Sequence, residues 1–83
     1  MIHFMTKERL ERCFVEALGV APEAVTDNLA YNSIKQWDSV AHMALVTALE
    51  SEFNLMLDTD EIIAMSSVGA AKQILGKHGV TFA

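Results

Sequence analysis

The chain has 83 residues, 52% of them apolar, with eleven acidic and six basic side chains and a net charge of −5. That length sets one domain, residues 1–83, with a single modest core and little room for a deep, dry pocket. The composition excludes a disordered chain, the acidic balance argues against nucleic acid as a partner, and the lone cysteine rules out an internal disulfide.

No apolar run reaches the length of a membrane span, so no membrane insertion is expected. The opening stretch MIHFMTKERLERCF lacks the charged-then-apolar order of a signal peptide, and the expected location is the cytoplasm. The negative charge fits both a partner with basic surfaces and simple solubility.

In chain order, the first element predicted is a helix from about Lys7 to Leu18. Leu10, Cys13, Phe14, Ala17 and Leu18 recur at helical spacing, with Thr6 as the expected N-cap and Gly19 as the stop. Cys13 reads as a small core residue. A long connection follows, from Val20 to Trp37, with a short helical turn expected around Pro22 to Val25. A connection of that length in a small domain is usually functional.

The next helix spans Ser39 to Phe53, with Asp38 as its N-cap. Val40, Met43, Leu45, Val46, Leu49 and Phe53 form a broad apolar face, extended by Ala41, Ala44 and Ala48. A helix apolar over most of its circumference is either central or presents a face to a partner. Phe14, Leu49 and Phe53 are expected in the core. The following FNLML reads as a strand only in isolation.

Asp58 stands three residues before Glu61, a capping-box pattern opening a short helix that ends near Met65. Ser66 or Ser67 caps a last helix whose face is Val68, Ala71, Ile74 and Leu75, ended by Gly76 or Gly79. The fold class expected is therefore all-α: a small four-helix bundle with a long first loop and a short third helix.

The chemistry concentrates in KQWDSVAHM, where Asp38, Ser39 and His42 are the residue types of a hydrolase triad. Ser39 and His42 stand three apart on a helix, near one another. A hydrolase also needs an oriented base, an oxyanion hole and a substrate pocket, and Asp38 is better placed to cap its own helix. His3, Cys13, His42 and His78 lack the paired short spacings of a zinc site, so no metal is expected. His42 reads as a solvent-facing residue that meets partners or cargo, and His78 as a helix-end residue favoured by the dipole. Met43, Met56 and Met65 are read as core filler. Trp37 is expected to pin the end of the long connection.

Ser39 sits where the long connection meets an apolar helix, so its hydroxyl is expected to be exposed. A phosphate ester there would lie beside free backbone N–H groups and the positive end of the helix dipole. The position suits an attached phosphate group better than a reacting alkoxide without a base.

From Trp37 to Leu75 the chain resembles the acyl carrier proteins. The residues that carry the likeness are Asp38-Ser39, Leu45, Leu49, Glu50, Phe53, Leu57, then Asp58, Asp60, Glu61, and Ser67-Val68; the first helix and the LGV…VTDNLAY connection also fit. The resemblance implies a non-catalytic carrier with no catalytic residue of its own. It implies that Ser39 bears a phosphopantetheine arm, added from coenzyme A by a phosphopantetheinyl transferase, with Asp38 as the adjacent motif acid. The arm's thiol would hold an acyl or aminoacyl cargo as a thioester. An acyl-loading ligase or acyltransferase would charge it, and a downstream synthase or transferase would receive the cargo from a monomeric carrier. By the same resemblance, Val46, Leu49, Leu57, Ile62 and Ile63 are candidates for a cargo pocket, and Val40 and Met43 for the face that meets partners.

The chain departs from the family pattern in three ways. Val40 replaces the usual leucine after the serine, and the second helix carries only Glu50 and Glu52 where fatty-acid carriers are acidic. Ile63 and Ala64 stand where the third helix is commonly charged, with Asp58, Asp60 and Glu61 gathered at its start. Partner contact is therefore expected to be more apolar, in a dedicated pathway such as polyketide, peptide, specialised lipid or surface-polysaccharide modification. Two alternatives stay open at this point: a carrier fold used as an interaction module without the prosthetic group, and a small serine hydrolase.

Overall fold

The computed structural model of the protein describes residues 5–82. Among these residues four α-helices and no strand form: α1 (Thr6–Leu18), α2 (Ser39–Phe53), α3 (Thr59–Ala64) and α4 (Val68–Lys77), with one 3₁₀ turn at Pro22–Ala24. The expected all-α bundle, its long first loop and its short third helix are all present.

The helix ends show why the boundaries fall where they do. α1 begins one residue earlier than its polar sequence signal. Met5 is the extended residue before it and supplies no side-chain cap, while the Arg9 N–H donates to the Met5 carbonyl at 3.0 Å. Thr6 is thus the first helical residue and not the cap. At the other end Gly19 turns left-handed at φ 67°, a conformation that costs glycine nothing, and its N–H donates to the Val15 carbonyl. α2 ends likewise, on Asn54 at φ 53°.

Asp58 and Glu61 form the full capping box of α3, and of the two serines it is Ser67 that caps α4, accepting from the Ala70 N–H at 3.0 Å. Gly76 lies inside α4 and Gly79, at φ 91°, follows it. FNLML is the last residue of α2 and the linker beyond it. The Leu57 N–H in that linker donates to Glu50 Oε2 at 2.9 Å.

The core is continuous. Leu10, Cys13, Phe14 and Leu18 of α1 meet Leu45, Val46 and Leu49 of α2, with Leu57, Met65, Val68, Ala71, Ile74 and Leu75 closing the other side. Trp37, fully buried, lies edge-on to Phe14 at 5.4 Å between ring centroids. Full burial of a large side chain stabilises by about 1.5–3 kcal/mol, so a loop residue is one of the principal core anchors. Phe53 is only half-buried: it lies at the edge of the bundle with the Arg9 guanidinium 4.7 Å above its ring. That corrects the expectation of a core phenylalanine. The last residue of the helix has passed the end of the buried stripe, and a cation covers its outer face instead.

The long connection is sewn to the start of α4. Its Leu29 and Asp27 carbonyls accept from Val68 and Gly69, and Tyr31 N–H donates to the Ser66 carbonyl at 2.9 Å. The orphan N–H groups of a helix N-terminus thus become the anchor for a loop whose only regular element is the 3₁₀ turn at Pro22–Ala24. Gly69 permits the approach, since a Cβ there would lie 3.3 Å from the Asp27 carbonyl oxygen. Lys72 pairs with Asp27 across the same seam at 2.7 Å. This stitching fixes where Tyr31 and Trp37 stand, and with them the surroundings of Ser39.

Candidate functional site

Asp38 and Ser39 stand where the connection becomes α2. Asp38 is extended and its Oδ1 accepts from the Ala41 N–H at 2.9 Å, so its carboxylate is engaged in starting the helix. The next residue, Ser39, is the first helical position and is exposed. The N–H groups of Ser39 and Val40 precede any helical acceptor, and they face outward at the positive end of a fifteen-residue helix. A local cap therefore yields an exposed hydroxyl beside unpaired donors.

Next to that hydroxyl is a cleft of about 350 Å³. Ser39, His42 and Met43 of α2 line one side, Ile62 and Ile63 of α3 the other, and Tyr31, Met65 and Ser66 complete it. Its walls are chiefly apolar, the composition of a site that takes an apolar group. Of the residues expected at a partner or cargo face, Met43, Ile62 and Ile63 lie on this cleft. Val46, Leu49 and Leu57 lie in the packed core, at 3%, 0% and 6% exposure. Val40 is elsewhere again, projecting into solvent at 79%. Tyr31, Met65 and Ser66 are not among the expected site residues; the connection that carries Tyr31 is marked by its length and by its fit to the family pattern.

His42 differs most from its expected place. It is half-buried, not solvent-facing, and both ring nitrogens are engaged. Trp37 Nε1–H donates to Nδ1 at 2.9 Å, and Nε2 lies 2.9 Å from the Ile62 carbonyl oxygen. A carbonyl only accepts, so Nε2 carries the proton and the ring is the neutral tautomer. Tyr31 adds an edge contact at 5.3 Å. The spacing that brought His42 near Ser39 did not reveal that the indole five residues back would take its other nitrogen. With Asp38 capping and both imidazole nitrogens occupied, Ser39 has no base, and the triad-like composition forms no triad.

The charges of α2 are engaged as well. Glu50 accepts from Leu57, and Glu52 pairs with Arg9 at 2.7 Å while its own carbonyl accepts from the Arg9 guanidinium. What α2 shows to solvent near Ser39 is Val40, Met43 and Ala44, joined by Ile63 of α3 at 73% exposure. The apolar circumference of α2 therefore serves two surfaces, the core and an open patch.

Two further groups stand apart from the cleft. The Cys13 thiol is buried against the Ala48 carbonyl, and burial, reinforced by nearby Glu52 and Glu16, pushes its pKa up to about 11. It is a packing residue with little thiolate. Glu61 is held below the usual carboxylate range, first by the Asp58 N–H in the capping box and then by His78, whose Nε2 lies 2.9 Å from Oε2. His78 thus joins the ends of α3 and α4. Among the described residues no group of three His, Cys, Asp or Glu side chains is arranged to hold a metal; His3 lies outside them. No helix among them is long and apolar enough to cross a membrane.

The bundle thus displays a serine at the start of α2, beside a chiefly apolar cleft. No protein-family model matches the chain. Known proteins do. It is 37% identical over 71 residues to acyl carrier protein from Bradyrhizobium sp. (strain ORS 278), covering 86% of this chain and 90% of the relative. The acyl carrier protein of Nitrobacter hamburgensis is equally similar, and that of Zymomonas mobilis is 32% identical over 88% of this chain and 94% of its own length. The chain belongs to the acyl carrier protein family.

Proposed function

We propose that the protein is a phosphopantetheine-bearing carrier, with Ser39 as the attachment point and no catalysis of its own. The observation that supports this most is the placing of Ser39: exposed, at the first position of α2, on the wall of an apolar cleft. The residues fit such a group. The α2 N–H groups and dipole suit a phosphodiester, and the cleft suits an apolar appendage. When bound, the arm would supply a terminal thiol that holds cargo as a reactive thioester. This chain's own thiol is not a substitute, being buried and held protonated.

Asp38 would present the serine by fixing the start of α2, and the patch of Val40, Met43 and Ile63 would meet partner enzymes. Those partners are a phosphopantetheinyl transferase, a ligase or acyltransferase that loads the cargo, and a synthase or transferase that takes it on. A carrier charged from coenzyme A works where coenzyme A is, in the cytoplasm. Because Glu50 and Glu52 are both engaged inside the fold, α2 offers a partner little free negative charge. Charge at an interface sets rate and choice of partner more than strength, so this carrier belongs to a dedicated pathway and not to general fatty-acid synthesis. Its cargo is acyl or aminoacyl.

Incubation with coenzyme A and a permissive phosphopantetheinyl transferase is expected to add one phosphopantetheine to the intact mass, lost in Ser39→Ala. No gain on folded protein would refute the reading. The dedicated role is tested by turnover with a general fatty-acid ketosynthase, where efficient transfer would count against it.

A further inference from the structure

Resting on Ser39 as the attachment point, we propose that Met43 is an oxidation site beside it: a hydroperoxide converts the thioether to the sulfoxide, and the sulfoxide reversibly hinders the enzymes that must reach Ser39. Met43 follows Ser39 by four residues on α2, so the two side chains lie one above the other on the same face. Both line the cleft, and Met43 is 52% exposed. An active site that encloses the Ser39 hydroxyl therefore covers the Met43 sulfur as well.

The other methionines of residues 5–82 are placed differently. Met65 is 0% exposed and out of reach of a solute. Met56 is 82% exposed, but it lies in the linker after α2, and the fifteen residues of that helix separate it from Ser39 by about 22 Å. Met5, also exposed, precedes α1, whose Arg9 pairs with Glu52 at that same far end. Exposure thus makes three of these sulfurs oxidisable, and position makes one of them consequential. The lone cysteine does not compete: Cys13 is buried against the Ala48 carbonyl, and a thiol that keeps its proton reacts poorly with peroxide.

The step balances. A sulfur lone pair attacks one peroxide oxygen, an S–O bond forms as the O–O bond breaks, and the other oxygen takes up the proton and leaves as water or an alcohol. Sulfur loses two electrons and the peroxide gains them. Return to the thioether consumes two thiols, which leave as a disulfide together with one water, the reaction of methionine sulfoxide reductases. In between, a flexible apolar side chain has become a polar one. Near Ser39, α2 shows solvent Val40, Met43 and Ala44, with Ile63 on the facing wall, while Glu50 and Glu52 are engaged inside the fold. A contact made by these apolar groups has no charge to sustain it when one of them turns polar. Val40, Ala44 and Ile63 also offer a sulfoxide oxygen no side-chain donor.

Folded wild-type protein, Met43→Leu and Met56→Leu are treated with hydrogen peroxide, the peroxide is removed with catalase, and oxidised methionines are located by peptide mass. In wild type Met43 and Met56 are each expected to gain one oxygen while Met65 gains none. Met43 left unoxidised where Met56 is converted overturns the proposal, and so does oxidation of Met65, which requires the fold to open.

Coenzyme A and a phosphopantetheinyl transferase that has not met peroxide are then added. Attachment at Ser39 is timed by intact mass, each protein against its own untreated sample. Oxidised wild type and oxidised Met56→Leu are expected to load at least about fivefold more slowly, the effect of an unpaired polar group set into an apolar contact. Treated Met43→Leu keeps its own untreated rate. Methionine sulfoxide reductases with dithiothreitol restore the wild-type rate and dithiothreitol alone does not, which separates the sulfoxide from an oxidised cysteine. An unchanged rate in oxidised wild type, an equal loss in Met43→Leu, or a recovery that does not need the reductases overturns the proposal. If untreated folded protein takes up no phosphopantetheine, it is the Ser39 reading that fails.

Discussion

Trp37 offers the sharpest measure of how a loop residue holds this fold together. Trp37→Phe keeps an aromatic ring in the core but removes the N–H that His42 Nδ1 accepts, at 2.9 Å in the wild type. A net hydrogen bond contributes about 1 kcal/mol, and leaving a half-buried acceptor unpaired raises the cost to about 1–3 kcal/mol. The lost ring atoms come from a site of 0% exposure with Phe14 at 5.4 Å, and the space they leave adds about 1 kcal/mol more. The total expected is about 2–4 kcal/mol, a large part of the stability of a domain this size.

Urea unfolding followed by far-ultraviolet circular dichroism reads it without the tryptophan signal. With a slope of about 1–2 kcal/mol/M, the midpoint should fall by roughly 1–4 M. A double-mutant cycle with His42→Leu isolates the bond, because Trp37→Phe should cost less once the acceptor is gone. A loss below about 1 kcal/mol, or strict additivity in the cycle, would refute the assignment of Trp37 and His42 as a coupled anchor.

Phe53→Ala is expected to cost about 1–2 kcal/mol, because its ring is half-buried beneath Arg9, whereas Phe14→Ala should cost about 3–5 kcal/mol; urea midpoints of the two variants rank them. Asp38→Ala removes the cap on Ala41 and should cost about 1 kcal/mol, with slower attachment at Ser39 in a mass-based time course; a folded variant modified at the normal rate contradicts the presenting role. Glu61 has a depressed pKa in the folded state, so its contribution is present above the unfolded value of 4.5 and is lost as pH falls below it. Midpoints in urea should therefore drop as the pH is lowered from that value, and Glu61→Gln should flatten the drop.

Much of the architecture was legible because it rests on local rules. Asp38, Asp58 and Ser67 cap the helices that follow them, since a short polar side chain reaches an orphan N–H two or three residues on wherever the chain carries it. The apolar spacing of Leu10, Cys13, Phe14 and Leu18 marked the buried face of α1 for the same reason. Where a cue was only a preference it misled: Thr6 is a good cap type, but it is the first helical residue and Met5 stands in the cap position.

α2 marks the limit of periodicity. Its apolar side chains go nearly all round, so the pattern does not say which of them face the core. Val46 and Leu49 turned inward while Met43 lines the cleft, opposite Ile62 and Ile63 of α3. His42 was misplaced for a related reason: its surroundings come from Trp37, Ile62 and Tyr31, on other elements.

The sequence alone determined four helices, the long connection and one serine at a helix start, because caps, spacing and turn residues act within a few positions of one another. Only the tertiary structure decided that the connection is laced to α4, that Glu50 and Glu52 are engaged within the fold, and that the His42 imidazole is engaged at both nitrogens on the edge of the cleft. Those outcomes depend on which distant polar groups meet when the apolar faces close. Hydrophobic burial is non-directional, so the apolar pattern fixes what is buried without fixing which polar partners meet.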